Sequence, residues 1–320
     1  MRLLNRFWLP IILLTIDFAL MLTSNAQAQV DATQKEIIQG AILYDKWYAA
    51  LGVNAPPGNM PIWGRQTTNT RSGPDTWRCV ECHGWDYRGS NGAYGSGSHF
   101  TGFPDIMTLA SNLSEVDIVN HLKGANDPAH DFSRYLDEQS MADLAKFLKY
   151  GTIDDSLYID PVSLRVIGGD VTHGQTLFQN TCSKCHGEDG TTIIFRGEGL
   201  DESLGDVAVR DPWRFLHRTR FGVAGTEMPV GALLGWSPAD GRDVLAYVRT
   251  LPTRQTEPTQ APAAQQAKPA QQIGGPGNNW WNGLFTSLGA FFGAMGYAAV
   301  FIGGFLLMGF LVVILLRRKK

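Results

Sequence analysis

The sequence predicts a mainly α-helical protein organised as two tandem domains, a Pro/Ala/Gln-rich tether and a C-terminal transmembrane helix. Three observations carry this expectation. The pattern C-x-x-C-H occurs twice, at Cys79–His83 and Cys182–His186, and uses all four cysteines of the 320-residue chain. The segments flanking the two motifs repeat one order of helical patterns. Between Asn282 and Leu316 no residue is charged.

The elements follow in order. Arg2 and Arg6 precede an apolar run that closes with Ala26-Gln27-Ala28, the small-x-small pattern at which a signal peptidase cuts. Residues 1–28 are therefore expected to be a signal peptide. Asp17 inside the run weighs against this reading and against an uncleaved membrane helix alike, because a carboxylate in hydrocarbon is costly. Residues 29–151 are the expected first domain and 152–251 the second, with Asp154 and Asp155 read as linker between them. Residues 252–279 lack a periodic apolar face and read as a disordered tether, whose coil reach is roughly 30 Å. In 280–320, Trp280 and Trp281 precede an apolar stretch long enough for the roughly 20 residues of a spanning helix. Arg317, Arg318, Lys319 and Lys320 follow it, which places the tail in the cytoplasm and the body outside the cytoplasmic membrane. The formal charge of −3, without basic blocks in the body, excludes a nucleic-acid partner.

C-x-x-C-H is the sequence to which c-type haem is attached covalently. Two thiols on one helical turn reach both vinyl groups of one porphyrin edge, and the adjacent His faces the iron. Two covalent haem c groups are thus expected, on Cys79, Cys82 and His83 and on Cys182, Cys185 and His186. A zinc site would want its two Cys pairs about 15–20 residues apart. Disulfides would not require His after both pairs, and no βαβ context suggests a thioredoxin-like motif.

The second half resembles the c-type cytochromes. GQTLFQNTCSKCHG (174–187) is similar to that family's first helix and haem motif, TEMPV around Met228 to its methionine loop, and SPADGRDVLAYVRTL to its last helix. The resemblance spans most of 165–251 and implies a small helical domain with His186 and Met228 as the two axial ligands. The residues agree: Ser237 is a plausible N-cap, Val244, Leu245 and Val248 form a helical stripe, and Pro252 follows. Met228 sits in a loop before Pro229 rather than on a helix face, which favours a ligand over core filling.

The first half reads by analogy as a second cytochrome c-like domain. Gly40–Tyr44 matches Gly174–Phe178, but Cys79 lies 35 residues after Tyr44 whereas Cys182 lies 4 after Phe178. The insertion reads as Pro/Gly/Asn-rich loop. Its Trp63 and Trp77, with Trp85 beyond the motif, either face the haem or fill the core. LSEVDIVNHLKG, with Ser114 and Asp117 spaced as a capping box, corresponds to PWRFLHRTRFG. Six residues after Gly124 comes His130, and six after Gly222 comes Met228. Leu144-Ala145 is aligned with Leu245-Ala246. His130 therefore stands where the sixth ligand belongs. Met107 and Met141 are the competitors, while His99 in a Gly/Ser-rich loop and His121 mid-helix fit less well.

Methionine as axial ligand raises the haem potential relative to histidine. The expected pair is a lower-potential His83/His130 site and a higher-potential His186/Met228 site. The function this implies is a membrane-tethered dihaem c-type cytochrome on the outer face of the cytoplasmic membrane. It would pass electrons from a redox donor to an acceptor, within or between respiratory or photosynthetic complexes. The alternative is a dihaem oxidoreductase with its own small substrate, peroxidase-like, which needs a displaceable ligand. A haem sensor has only a four-residue cytoplasmic tail through which to signal.

Overall fold

The computed structural model describes residues 33–197 and 200–254. The expected signal peptide (1–28), the tether beyond residue 254 and the expected anchor (280–320) lie outside the described residues. The described residues all fall within one compact unit. Among the described residues, no helix is long and apolar enough to cross a membrane.

The fold is mainly helical. Helix α1 covers 33–50. It is followed by α2 (Cys79–His83), α3 (Ile106–Asn112), α4 (Glu115–Leu122) and α5 (Glu138–Lys146). The second half holds α6 (Val171–Thr181), α7 (Ser183–His186), α8 (Leu204–Arg210), α9 (Pro212–Phe221) and α10 (Pro238–Val248). A short antiparallel hairpin, β1 (Phe195–Gly197) and β2 (Leu200–Glu202), pairs Arg196 with Asp201 and was not foreseen. The starts are set by side-chain caps. Ser114 with Asp117, Ser203 with Asp206 and Ser237 with Asp240 form reciprocal capping boxes, each satisfying orphan backbone donors at about 1 kcal/mol. The insertion between α1 and α2 is loop punctuated by two 3-10 turns, Pro61–Arg65 and Gly73–Trp77.

Both halves are built on one helix crossing. A Cβ on Gly40 of α1 would collide with the backbone carbonyl of Asp143 in α5, and a Cβ on Gly174 of α6 would collide with that of Asp243 in α10. Only glycine allows this approach. One turn on, Tyr44 packs on Phe147 with centroids 5.7 Å apart, and Phe178 packs on Tyr247 at 5.4 Å. The matched positions are therefore Asp143 with Asp243 and Leu144 with Val244. This shifts by one residue the sequence alignment of Leu144 with Leu245, because a glycine contact specifies register where two similar apolar stripes do not. Gly174→Ala forces backbone apart at the crossing and is expected to cost about 3 kcal/mol, the upper range for overpacking. Urea denaturation checks this, and a loss below about 0.5 kcal/mol, the level of ordinary surface substitutions, would refute so close a crossing.

The halves share one hydrophobic core. At their junction His217 of α9 is 1 % exposed, and its Nε2–H donates to the Ala41 carbonyl at 3.1 Å. Its Nδ1 therefore accepts from the Tyr87 hydroxyl, at 2.8 Å. Burial pushes the His217 pKa down to about 4, so the ring is neutral. Tyr87 adopts the left-handed region (φ 62°), a strain held by this bond and by burial on all sides. Asp45 of α1, 1 % exposed, is gripped by Arg78 at 2.7 Å and by Arg218 of α9 at 3.0 Å. Asp154 and Asp155, read from the sequence as linker, are held against the body. Asp154 pairs with Arg88 at 3.0 Å, and Asp155 is buried.

Candidate haem sites

Each motif forms a short helix, so its two thiols and its histidine lie within one turn or so. Cys79, Cys82 and His83 are on α2, while Cys182 is the N-cap residue of α7, which carries Cys185 and His186. Each helix ends at a glycine with positive φ, Gly84 (77°) and Gly187 (81°), which turns the chain away directly after the histidine. All four cysteines are free thiols. Burial pushes the Cys79 thiol up to about 12 and the Cys182 thiol up to about 11. The two Cys pairs do not converge, and no group of three or more His, Cys, Asp or Glu with metal-binding geometry occurs among the described residues.

Beside α2 lies a cavity of about 420 Å³ whose lining includes Cys79, His83 and His130. That volume is within the usual range for ligand sites, about 300–1,000 Å³. The remaining wall is largely apolar: Tyr44, Ile62, Phe103, Leu122 and Leu148 contribute. His83 Nδ1–H donates to the Pro104 carbonyl at 3.0 Å, and His130 Nδ1–H donates to the His121 carbonyl at 3.3 Å. A carbonyl only accepts, so both rings carry their proton on Nδ1 and keep the lone pair on Nε2. Their centroids are 6.4 Å apart with planes at 82°. An imidazole nitrogen binds a metal at about 2.0–2.1 Å, so two rings on opposite sides of one ion have centroids roughly 6.3 Å apart. These residues fit an iron with two histidine ligands. Burial lowers the His83 pKa to about 4 and lowers that of His130 too, keeping both rings neutral as ligands must be.

The competitors stand elsewhere. Met141 is 2 % exposed on α5 and, like Met107, is not part of the cavity wall. His99 stacks on Tyr94 with centroids 4.5 Å apart. His121 lines the cavity, but its ring meets the Asn126 amide at 2.9 Å, and its backbone holds His130. Trp63 and Trp77 are buried core residues. Their indole N–H groups donate to the Arg71 and Gly58 carbonyls at 3.0 and 3.1 Å, pinning the insertion. The insertion also sends Arg65 to Asp127, in a two-pronged pair three residues before His130. Sequence reasoning missed both anchors, the Pro104 carbonyl and Arg65, because each meets its partner only through the fold.

The second cavity, about 290 Å³, is lined by Cys182, Cys185, His186 and Met228, with Phe195, Pro229 and Trp236 around them. The residues named from the sequence are thus brought together here as well. His186 differs from His83 in one respect: its Nδ1 is buried without a hydrogen-bond partner among the described residues. An orphan of this kind is uncommon and leaves the ring without the second tie that ligating histidines normally have.

Three comparisons bear on these sites. Residues 171–252 match the cytochrome c family. No curated protein matches the chain. A chain of the Kuenenia stuttgartiensis reducing HAO-like protein complex is similar at 21 % identity, covering 54 % of this chain and 90 % of its own, with a TM-score of 0.20. Residues 171–252, which contain α6, the second motif, Met228 and α10, form a cytochrome c domain, and such a domain implies a covalently bound haem c and electron transfer.

Proposed function

We propose that the protein is a dihaem c-type cytochrome that relays electrons between a redox donor and an acceptor at the outer face of the cytoplasmic membrane. In this reading Cys79, Cys82 and His83 attach one haem with His130 opposite, and Cys182, Cys185 and His186 attach the second with Met228 opposite. The observation that carries it is the His83–His130 pair: two neutral imidazoles, each tied at Nδ1, 6.4 Å apart beside Cys79. The repeated Gly40/Asp143 and Gly174/Asp243 crossings support the first half as a second domain of the same kind. When bound, haem supplies a one-electron couple. The chain holds it rigidly, excludes water with apolar walls, and sets the two potentials apart by the choice of histidine or methionine. The 280–320 segment would anchor the body, and the tether would give it reach toward partners, including a larger membrane complex.

A potentiometric titration of the full chain, followed optically, tests the relay. Two separate one-electron waves are expected, the lower with two-histidine spectra and the higher with a methionine ligand. Neither ferrous haem is expected to bind carbon monoxide, because both axial positions are filled. A single haem per chain would sink the reading. Rapid carbon monoxide binding by the native protein would instead favour a dihaem oxidoreductase with a displaceable ligand.

A further inference from the structure

We infer that the cavity between α2 and the α8–α9 hairpin is a binding site for a multiply charged oxyanion of the phosphate or sulfate class. The cavity measures about 700 Å³ and is separate from the wall that carries His83 and His130. Six arginines and Lys46 face it, against four carboxylates. Adding the buried Asp45, behind Arg78 and Arg218, and Asp201, beside Arg196, leaves the cations in excess by one. An ordinary ion-pair network tends to balance its charges. A cleft with surplus positive charge instead concentrates field on its interior.

The donors differ in how far they are engaged. Arg78 is held by Asp45 at 2.7 Å and Glu81 at 2.8 Å, and Arg218 by Asp45 at 3.0 Å. Arg214 gives one N–H to Glu202 at 2.9 Å, while its buried Nε lies 3.3 Å from the Asp211 carboxylate without completing a well-aligned hydrogen bond. Arg210 reaches Glu202 only at 3.8 Å, outside hydrogen-bond range, with its side chain 29 % exposed. Glu202 thus serves two guanidiniums and satisfies neither fully. Arg210 closes α8 and Arg214 lies in the first turn of α9, both beside Glu202, and a guanidinium's planar fork of donors suits two oxygens of a tetrahedral anion. The Trp85 and Trp213 rings form part of the wall. Trp85 is itself stacked under Arg218, 5.0 Å from the ring centroid, which fixes that guanidinium in place.

The test is calorimetric titration of the full chain in detergent with inorganic phosphate, then sulfate, with chloride balancing ionic strength. One saturable site is expected, weakened at least about tenfold by Arg210→Gln, as befits loss of a charge-assisted pair. The melting temperature and the visible haem spectrum should be unchanged in that variant. Arg214→Lys should weaken binding similarly. If its lost Glu202 contact unfolds it, Arg210→Gln decides alone. Absence of saturable binding over chloride overturns the proposal. Unaltered affinity in Arg210→Gln overturns it too. None of these readouts depends on which residues ligate iron, so the relay can fail while the anion site stands, and the reverse.

Discussion

On the proposed assignment, His130→Ala is expected to convert the lower-potential haem to a five-coordinate form that binds carbon monoxide when reduced, while the other haem keeps its methionine spectrum. His130→Met is expected to keep six ligands and raise the lower midpoint potential by on the order of a hundred millivolts or more, since axial ligands span about 0.8 V overall. The reason is geometric. The Pro104 and His121 carbonyls hold the Nδ1 protons of His83 and His130, so each ring keeps its lone pair on Nε2, with the centroids 6.4 Å apart. The nearly perpendicular ring planes, at 82°, also predict a strongly anisotropic low-spin ferric resonance in the native protein, lost in His130→Ala. With haem held between them, planes so oriented would leave the two iron π-orbitals almost degenerate. If His130→Ala keeps a two-ligand spectrum and refuses carbon monoxide, another residue is the ligand. Met107 is then the first to replace.

Asp45→Ala is expected to cost about 3–5 kcal/mol, because it strands two guanidiniums that its carboxylate neutralises. Asp45 is 1 % exposed, and the side chains of Arg78 and Arg218 are only 13 % and 25 % exposed, so water cannot substitute. This carboxylate joins α1 to α9, and its loss should loosen the junction of the halves. Denaturation of Asp45→Ala, Arg218→Ala and the double variant measures the coupling. A coupling below about 0.5 kcal/mol would mean the pair is no more than a solvated contact. The same group predicts acid behaviour. Burial alone would raise the Asp45 pKa, but Arg218 and Arg78 outweigh it and bring it down to about 2, from 3.8. A carboxyl with a depressed folded-state pKa contributes its stability above the unfolded value. That contribution, about 2 kcal/mol, is lost as the pH falls from about 4 through about 2. Asp45→Asn should abolish this part of the acid transition, and an unchanged acid limb in that variant would contradict the assignment.

Much of the site was legible because its chemistry is local in the chain. A C-x-x-C-H run keeps its three groups within about one turn, on the helix at 79–83 and on the helix at 183–186 with its N-cap Cys182. The capping boxes at Ser114 and Ser237 were equally readable, since both partners lie within three residues. His130 could be named by counting from Gly124, because loop length after a helix is also a local quantity. Counting failed at the last helix. The stripes of α5 and α10 fit each other at two registers, and only the contacts of Gly40 and Gly174 separate them.

The sequence by itself determined the helical class, the two C-x-x-C-H motifs, and the candidates His130 and Met228, all properties of spacing along one segment. The tertiary structure alone decided that the halves share a core, that His217 lies between Tyr87 and Ala41, and that Asp45 faces Arg218. It alone placed the Pro104 carbonyl on His83 and gathered the arginines of the junction into one cleft. These contacts join residues between 21 and 176 positions apart. Burial makes such distant polar pairings strong, and no local pattern records which partners the fold will bring together.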